Sequence, residues 1–257
     1  MRNLVMATYV LTGGATGIGA AIKAQLEDCQ QTVITLDIKD GDYTVDLGDA
    51  VSRAQVIEQV AKDHPAIDGI ITCAGVASHF PDKAKILAIN YAGTVDVVNG
   101  LRPCLSRGGR VVVISSNSAP QCSQPELVTS LLNGDAEGAA ALAEGASGHD
   151  CYSGSKQAVA KWMRQIAPDF AREGIAINAV APGYIETPMT QAVAQSESYG
   201  DAIRQFVASI PAGRPGTPDD IANLVLFLLS DKASFIAGSV LFADGGHDAM
   251  FRPEAGV

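Results

Sequence analysis

Short runs of apolar and β-branched residues alternate along the chain with longer stretches in which apolar residues recur every three or four positions. Tyr9-Val-Leu-Thr12 has the first pattern. Residues 18–26 have the second, with Ile18, Ala21, Ile22 and Leu26 on one helix face, and Thr32-Val-Ile-Thr-Leu36 returns to the first. This is a βαβ unit. The alternation recurs at Gly69-Ile-Ile-Thr72, Arg110-Val-Val-Val-Ile114, Ala176-Ile-Asn-Ala-Val180 and Val240-Leu-Phe-Ala243, with helix-length segments between them. Such strands joined by helical crossovers predict an α/β fold, a doubly wound parallel sheet with helices on both faces.

Neither an internal repeat nor a Pro- or Ser-rich linker divides residues 1–257, so a single domain is expected. Two stretches break the rhythm. Residues 117–148 are a helix-prone Ala-, Leu- and Glu-rich insertion after a strand, and residues 184–215 follow Pro182-Gly183. Long excursions from a compact sheet usually serve function, so the first reads as an inserted helical segment and the second as a substrate lid.

Composition narrows the partners. Of the 257 residues 47% are apolar and 18% charged, the balance of a folded globular chain. A formal net charge of -10 offers no basic surface to phosphate backbones or anionic lipid, so neither nucleic acid nor membrane is expected as a partner. No apolar run reaches the roughly 18 residues of a membrane span, and Met1, Arg2 and Asn3 lead into a strand-like segment; a cytoplasmic location is expected. The cysteines, Cys29, Cys73, Cys104, Cys122 and Cys151, are scattered without C-x-x-C or Cys/His spacing and read as reduced thiols. His64, His79, His149 and His247 have no ligand spacing, so no metal is expected.

Thr12-Gly13-Gly14-Ala15-Thr16-Gly17-Ile18-Gly19 lies between the first strand and the first helix, where a dinucleotide pyrophosphate needs close backbone approach and a helix N-terminus. Tight turns need glycine too. Placement at the first βα junction favours the cofactor reading, of Rossmann type, with Gly13, Thr16, Gly17, Ile18 and Gly19 at the phosphates. About 20 residues further on, Asp37 ends the second strand, where a carboxylate accepts hydrogen bonds from the adenosine ribose and repels a 2′-phosphate. NAD is therefore expected over NADP, with Ile38 alongside and Lys39 softening the preference. Asp37 also suits the start of the turn Asp37-Ile-Lys-Asp-Gly41. Asp46 and Leu47, after a further short strand, can reach the adenine edge, although Asp46 suits equally well as N-cap of the helix after Gly48.

Tyr152-Ser-Gly-Ser-Lys156 opens a segment that reads as a helix, with Tyr152 and Lys156 on one face at i and i+4. A free tyrosine, with a pKa of about 10, is a poor base at neutral pH, and an adjacent ammonium favours its phenolate. An isolated Tyr-x-x-x-Lys is often only a surface pair. Here Ser115-Ser116 ends the strand Val111-Val-Val-Ile114 at the carboxyl edge of the sheet, where doubly wound folds bind ligands and a hydroxyl can donate to a substrate oxygen.

Taken in order, the Gly-rich turn, Cys73-Ala74-Gly75, Asn90, Ser116, Tyr152 with Lys156, and Pro182-Gly183 resemble the short-chain dehydrogenase/reductase family over essentially the whole chain. The resemblance implies an NAD-dependent oxidoreductase that interconverts a secondary alcohol and a ketone. It implies that Ser116 polarises the substrate oxygen, Tyr152 exchanges the proton, Lys156 depresses the tyrosine pKa and binds ribose, and Asn90 holds a proton-relay water. Within Pro182-Gly183-Tyr-Ile-Glu-Thr187, it implies that Ile185 and Thr187 meet the nicotinamide carboxamide. There are departures. Thr72-Cys73-Ala74-Gly75 stands where the family commonly has Asn-Asn-Ala-Gly, and the gap from Ser116 to Tyr152 exceeds the usual one by about two helical turns.

That expanded gap, with Leu127-Val-Thr-Ser-Leu-Leu132 and residues 136–144, and the ending Asp244-Gly-Gly-His-Asp-Ala-Met-Phe-Arg-Pro253 resemble the bacterial 3α-hydroxysteroid dehydrogenase/carbonyl reductase branch. There the inserted helices obstruct one of two usual subunit interfaces, which implies a homo-oligomer that is a dimer instead of a tetramer. A 3α-hydroxysteroid or related carbonyl compound is the implied substrate. Tyr184, Ile185, Met189, Tyr199, Phe206 and Ile210 make the expected lid apolar, suited to hydrophobic rings more than to sugars. Another cyclic alcohol, such as a terpenoid, cyclohexanol or aromatic diol, is thus the alternative substrate. A catalytically silent NAD-binding protein is the alternative of a different class, against which the Ser116, Tyr152 and Lys156 set speaks.

Overall fold

The computed structural model describes residues 6–188, 190 and 200–255. Seven strands, β1 (Thr8–Thr12), β2 (Thr32–Asp37), β3 (Tyr43–Thr44), β4 (Ile67–Thr72), β5 (Leu105–Ile114), β6 (Ala176–Pro182) and β7 (Val240–Ala243), form one sheet in the order β3-β2-β1-β4-β5-β6-β7. Every pairing is parallel, with Val10 of β1 opposite Ile34 of β2 on one side and Ile70 of β4 on the other. The chain leaves β1 towards one edge and returns at β4 to build towards the other. That reversal opens a crevice beyond the carboxyl ends of β1 and β4.

Helices cover both faces. One face takes α2 (Ala50–Asp63), α4 (Gly93–Leu101) and α7 (Gly148–Arg172); the other takes α1 (Gly17–Asp28) and, near the C-terminus, the helix Pro218–Leu229. Val10, Ile70, Val111 and Val113 point to the first face, against Val60, Val98, Met163 and Phe170. Leu11, Ile71, Val112 and Ile114 point to the second, against Ile22, Leu26, Ile221 and Leu228. Successive strand residues alternate faces, so a strand covered on both sides must be apolar throughout, which is why these runs showed no polar alternation. Each such side chain contributes roughly 1.5–3 kcal/mol over leaving it exposed. Sharing one sheet, the two layers make a single α/β domain, as expected.

Local chemistry fixes the helix starts. The Asp49 carboxylate accepts from Ser52 N at 2.7 Å and caps α2, so Asp46 is not its N-cap; Asp46 Oδ1 instead accepts from Gly48 N at 2.8 Å. The Ser147 hydroxyl accepts from Asp150 N at 3.0 Å, and α7 therefore begins about a turn before Tyr152, which sits inside the helix and not at its opening. Between β5 and α7 lie α5 (Pro125–Leu132) and α6 (Ala136–Gly145). They are tied down by Lys83 Nζ of α3 (Lys83–Leu87), which donates to the Glu144 and Ala146 carbonyls, each at 2.8 Å.

The stretch 184–215 leaves and rejoins the domain at one point, because Gly216 N donates to Tyr184 O and Glu186 N to Gly216 O, both at 2.9 Å. It contains α8 (Gly200–Ala208) and leads into α9 (Pro218–Leu229); α10 (His247–Phe251) follows β7. Met189 and Tyr199 lie outside the described residues. Among the described residues no helix is long and apolar enough to cross a membrane, and no three His, Cys, Asp or Glu side chains are gathered to hold a metal ion.

Candidate active site

A cleft of about 380 Å3 occupies the crevice beyond the sheet's carboxyl ends. Its walls bring together, from the first βα junction, Gly13, Thr16, Gly17, Ile18 and Gly19; from the ends of β2 and β3, Asp37, Ile38, Asp46 and Leu47; and after β4, Cys73, Ala74 and Gly75. Ser116, Tyr152 and Lys156 stand at the other end, with Pro182, Gly183, Ile185 and Thr187 over them. Of the catalytic and cofactor-binding residues expected from the sequence, Asn90 alone is off this wall; the described lid residues Tyr184, Phe206 and Ile210 are off it too, while Ile185 lines it.

At the first end the walls are made by leaving side chains out. Gly13 has φ of +76°, and a Cβ there would stand 2.6 Å from Ala74 Cα; a Cβ on Gly19 would overlap the Gly13 carbonyl. Thr16 is the N-cap of α1 but its side chain makes no cap bond, and the first turn holds no acid, whereas α2, α7 and α9 are each capped by a side chain. A helix start with free N–H groups beside bare glycine backbone fits a pyrophosphate. Asp37 is pinned at the strand end: Oδ2 accepts from Ala15 N at 3.0 Å and Oδ1 from Lys39 N at 3.3 Å. Asp37 thus starts its turn, as one of its two readings has it, and it also lines the cleft. These residues fit an adenine dinucleotide.

The second end is built from polar side chains in an apolar frame. Ser115 and Ser116 alternate in direction at the end of β5. Ser115 Oγ is consumed, donating to the Lys156 carbonyl at 2.9 Å, while Ser116 Oγ lies 3.0 Å from Ser118 Oγ at the cleft and contacts Tyr152. Lys156 is 4% exposed, and its Nζ donates to Ile114 O at 2.9 Å. Burial pushes the Lys156 amine down to about 8. Burial also pushes the Tyr152 phenol above its ordinary value, and only the contact with the Ser116 hydroxyl opposes it. The expected depression by a neighbouring ammonium is thus not what sets the tyrosine here; Lys156 turns to the strand-end carbonyl, and desolvation dominates both groups.

Asn90 sits behind the wall, fully buried, in a π-type turn, Ala88–Ala92, that interrupts the run from α3 to α4. Its Oδ1 accepts from Val76 N at 2.9 Å, and its Nδ2 donates to Val76 O at 3.0 Å and to Ser155 Oγ at 3.3 Å. It therefore clamps the loop after β4 to α7. A Cβ on Gly75 would lie 3.0 Å from Asn90 Oδ1 and 3.5 Å from Lys156 Nζ, so a side chain there would crowd both groups.

Sequence reasoning missed Thr190. Its hydroxyl donates to Ile185 O at 2.7 Å and accepts from Thr187 N at 2.9 Å, fixing residues 185–187 over the cleft. The signal was available, since a Thr-x-x-Thr after a Pro-Gly is the spacing of a local hydroxyl-to-backbone motif.

Comparison with known proteins decides what this arrangement belongs to. Residues 7–126 match the short chain dehydrogenase family, and residues 138–248 match the family described as enoyl-(acyl carrier protein) reductase. The 3-alpha-hydroxysteroid dehydrogenase/carbonyl reductase of Comamonas testosteroni is 35% identical over 96% of this chain and 99% of its own. The chain belongs to the short-chain dehydrogenase/reductase family. As such it is an oxidoreductase acting on CH–OH groups with a nicotinamide cofactor. The crystal structure of the 3-alpha-hydroxysteroid dehydrogenase from Pseudomonas sp. B-0831 complexed with NADH superposes with a TM-score of 0.92 at 38% identity, covering 97% of this chain and 100% of that one. The cis-4-hydroxycyclohexanecarboxylate dehydrogenase of Sinomonas cyclohexanicum is 29% identical over 94% of this chain and 96% of its own. The resemblance to the 3α-hydroxysteroid dehydrogenase/carbonyl reductase branch read from the sequence holds.

Proposed function

We propose that this short-chain dehydrogenase interconverts a 3α-hydroxysteroid, or a closely related hydrophobic carbonyl compound, and its ketone with NAD. The observation that carries the chemistry is the meeting of Ser116, Tyr152 and Lys156 at one end of a cleft whose other end suits an adenine dinucleotide. When bound, nicotinamide supplies the two-electron acceptor or donor. Ser116 Oγ donates to the substrate oxygen, and Tyr152 takes the alcohol proton in oxidation and returns it in reduction. Lys156 holds the α7 face against the Ile114 strand end and reaches the ribose. Asn90 fixes the Val76 loop and serves the relay of the proton towards solvent. Cys73, Ala74 and Gly75 line the adenosine side, with Asp46 and Leu47 at the adenine edge. Ile185 and Thr187 close over the carboxamide, and the expected lid, of which residues 184–188, 190 and 200–215 are described, covers the substrate.

Asp37 supports NAD over NADP, because its carboxylate faces the place of a 2′-phosphate. Two relatives named for 3-alpha-hydroxysteroid dehydrogenases support the steroid. The cyclohexanecarboxylate relative supports another cyclic alcohol as the second reading. A cytoplasmic dimer belongs to the same proposal; the dimer is supported by the inserted pair, α5 packing on α7 and α6 on α5 and α3.

The test is NADH formation by purified protein with NAD and a panel of androsterone-type 3α-hydroxysteroids beside simple cyclic alcohols. Steroid turnover that falls about 10²- to 10⁴-fold in Tyr152→Phe, with NADH binding retained, is the expected result. Turnover of non-steroid alcohols alone would discard the steroid.

A further inference from the structure

His247 is a histidine the chemistry above does not use, yet it is 1% exposed. After β7 the chain turns through Asp244, Gly245 and Gly246 into α10. Gly245 and Gly246 have φ of +68° and +89°, and a Cβ on Gly245 would lie 2.7 Å from Ile210 Cγ2 and 3.0 Å from Ala212 Cβ. Ala212 N donates to Gly245 O at 3.0 Å. This turn is therefore pressed against residues 209–212, the exit of α8. The His247 ring completes the contact. Its Nε2 lies 3.2 Å from Ser209 Oγ, and its centroid lies 4.7 Å from that of Phe206 and 4.8 Å from that of Phe251. Phe206 in turn packs edge-on against Tyr184, which adjoins the cleft-wall residues Gly183 and Ile185.

The other end of the turn reaches the reacting side. Asp244 Oδ2 accepts from Asp248 N at 2.6 Å and from Asn117 Nδ2 at 3.4 Å, and Oδ1 accepts from Gly246 N at 3.1 Å. Asn117 directly follows Ser116. A Cβ on Gly183 would stand 2.6 Å from Asp244 Cβ. One short turn thus touches the strand end that bears Ser116, the Pro182-Gly183 clamp and the exit of α8.

We propose that His247 is a positioning residue for substrate, fixing α8 and Tyr184 relative to Gly183 and Ser116 through Ser209 and Phe206. The inference rests on the oxidoreductase reading and deepens it. The imidazole is off the cleft wall, so its effect is exerted through Ser209 and Phe206. It joins the substrate-side segment to the domain by one hydrogen bond and a row of ring contacts, and weakening that join should loosen substrate binding while leaving the cofactor end untouched.

The experiment compares wild type, His247→Leu, His247→Gln and Ser209→Ala, using whichever secondary alcohol of the panel the wild type turns over best. For His247→Leu, KM for the alcohol rises about five- to tenfold, as loss of one hydrogen bond and its mount predicts, while kcat and the NADH dissociation constant stay within about twofold. Ser209→Ala reproduces part of the rise, and His247→Gln, which keeps a polar partner for Ser209, restores part of it. Hydrogen exchange at the backbone amides of residues 204–212 accelerates in His247→Leu, read with NADH bound and independently of any substrate. Unchanged exchange there, or a KM rise matched by an equal loss of NADH affinity, would overturn the proposal. A wild type that turns over no steroid fails the substrate reading alone, because the exchange arm still decides His247.

Discussion

The two ends of the cleft are built on opposite physical terms. At the β1–α1 junction the walls are backbone: Gly13 and Gly19 sit where a Cβ would collide, and the start of α1 has no side-chain cap. At the β5–α7 end the walls are polar side chains taken out of water, with Lys156 and Ser116 both buried and Tyr152 half-buried. The first end works by access, offering N–H groups to an anion at little cost to the fold. The second works by desolvation, which shifts the Lys156 and Tyr152 proton equilibria and burdens stability in the free protein. In the proposed enzyme, binding is thus concentrated where the chain is small, and reactivity where it is strained electrostatically.

Lys156 breaks this comparison most sharply. Its folded pKa of about 8 lies below the unfolded value near 10.5. Below about 8 both states carry the proton and the burial penalty is complete; between about 8 and 10.5 the unfolded chain holds the extra proton, so stability rises with pH; above that the penalty is gone. Denaturant unfolding of Lys156→Met against wild type should therefore show the variant's relative stability falling by about 3 kcal/mol from pH 7 to pH 11. A pH-independent difference would place the lysine in water. Gly13→Ala probes the other end. A methyl there forces φ of +76° on an L-residue and meets Ala74, at a cost of about 1–3 kcal/mol. NADH affinity in a fluorescence titration should fall along with the melting temperature, while any residual bound enzyme keeps its kcat. Asp37→Ala gives the smallest change: roughly a tenfold shift of the NAD-to-NADP ratio of kcat/KM towards NADP, worth about 1.4 kcal/mol, with thermal stability little altered.

The same contrast explains what the sequence made legible. Strands apolar on both faces and a glycine-rich turn at the first βα junction are local patterns, so the sheet and the glycine end could be read directly. Residues 8–12 and 32–37 form strands close to where the β-branched runs placed them. The chemical end depends on contacts between residues far apart in the chain. That Lys156 spends its ammonium on Ile114 O, that Asn90 clamps Val76 from inside a π-type turn, and that Asp49 instead of Asp46 caps α2 follow from how segments meet. Periodicity carries no information about such meetings. The Asp244–His247 stretch was legible as a motif but its contacts were not, for the same reason: its partners, Asn117, Gly183 and Ser209, come from three separate parts of the sequence.

The thiol on the cleft wall gives this enzyme a chemical temperament. Burial pushes the Cys73 thiol up to about 12, against the pull of the Lys156 charge. A thiol raised in this way stays protonated at neutral pH, and the thiolate is the nucleophilic form. A sulfur set among the cleft-lining residues is thereby a weak nucleophile, and Cys29, the exposed cysteine at the C-terminal end of α1, is left to meet alkylating electrophiles and mild peroxides first.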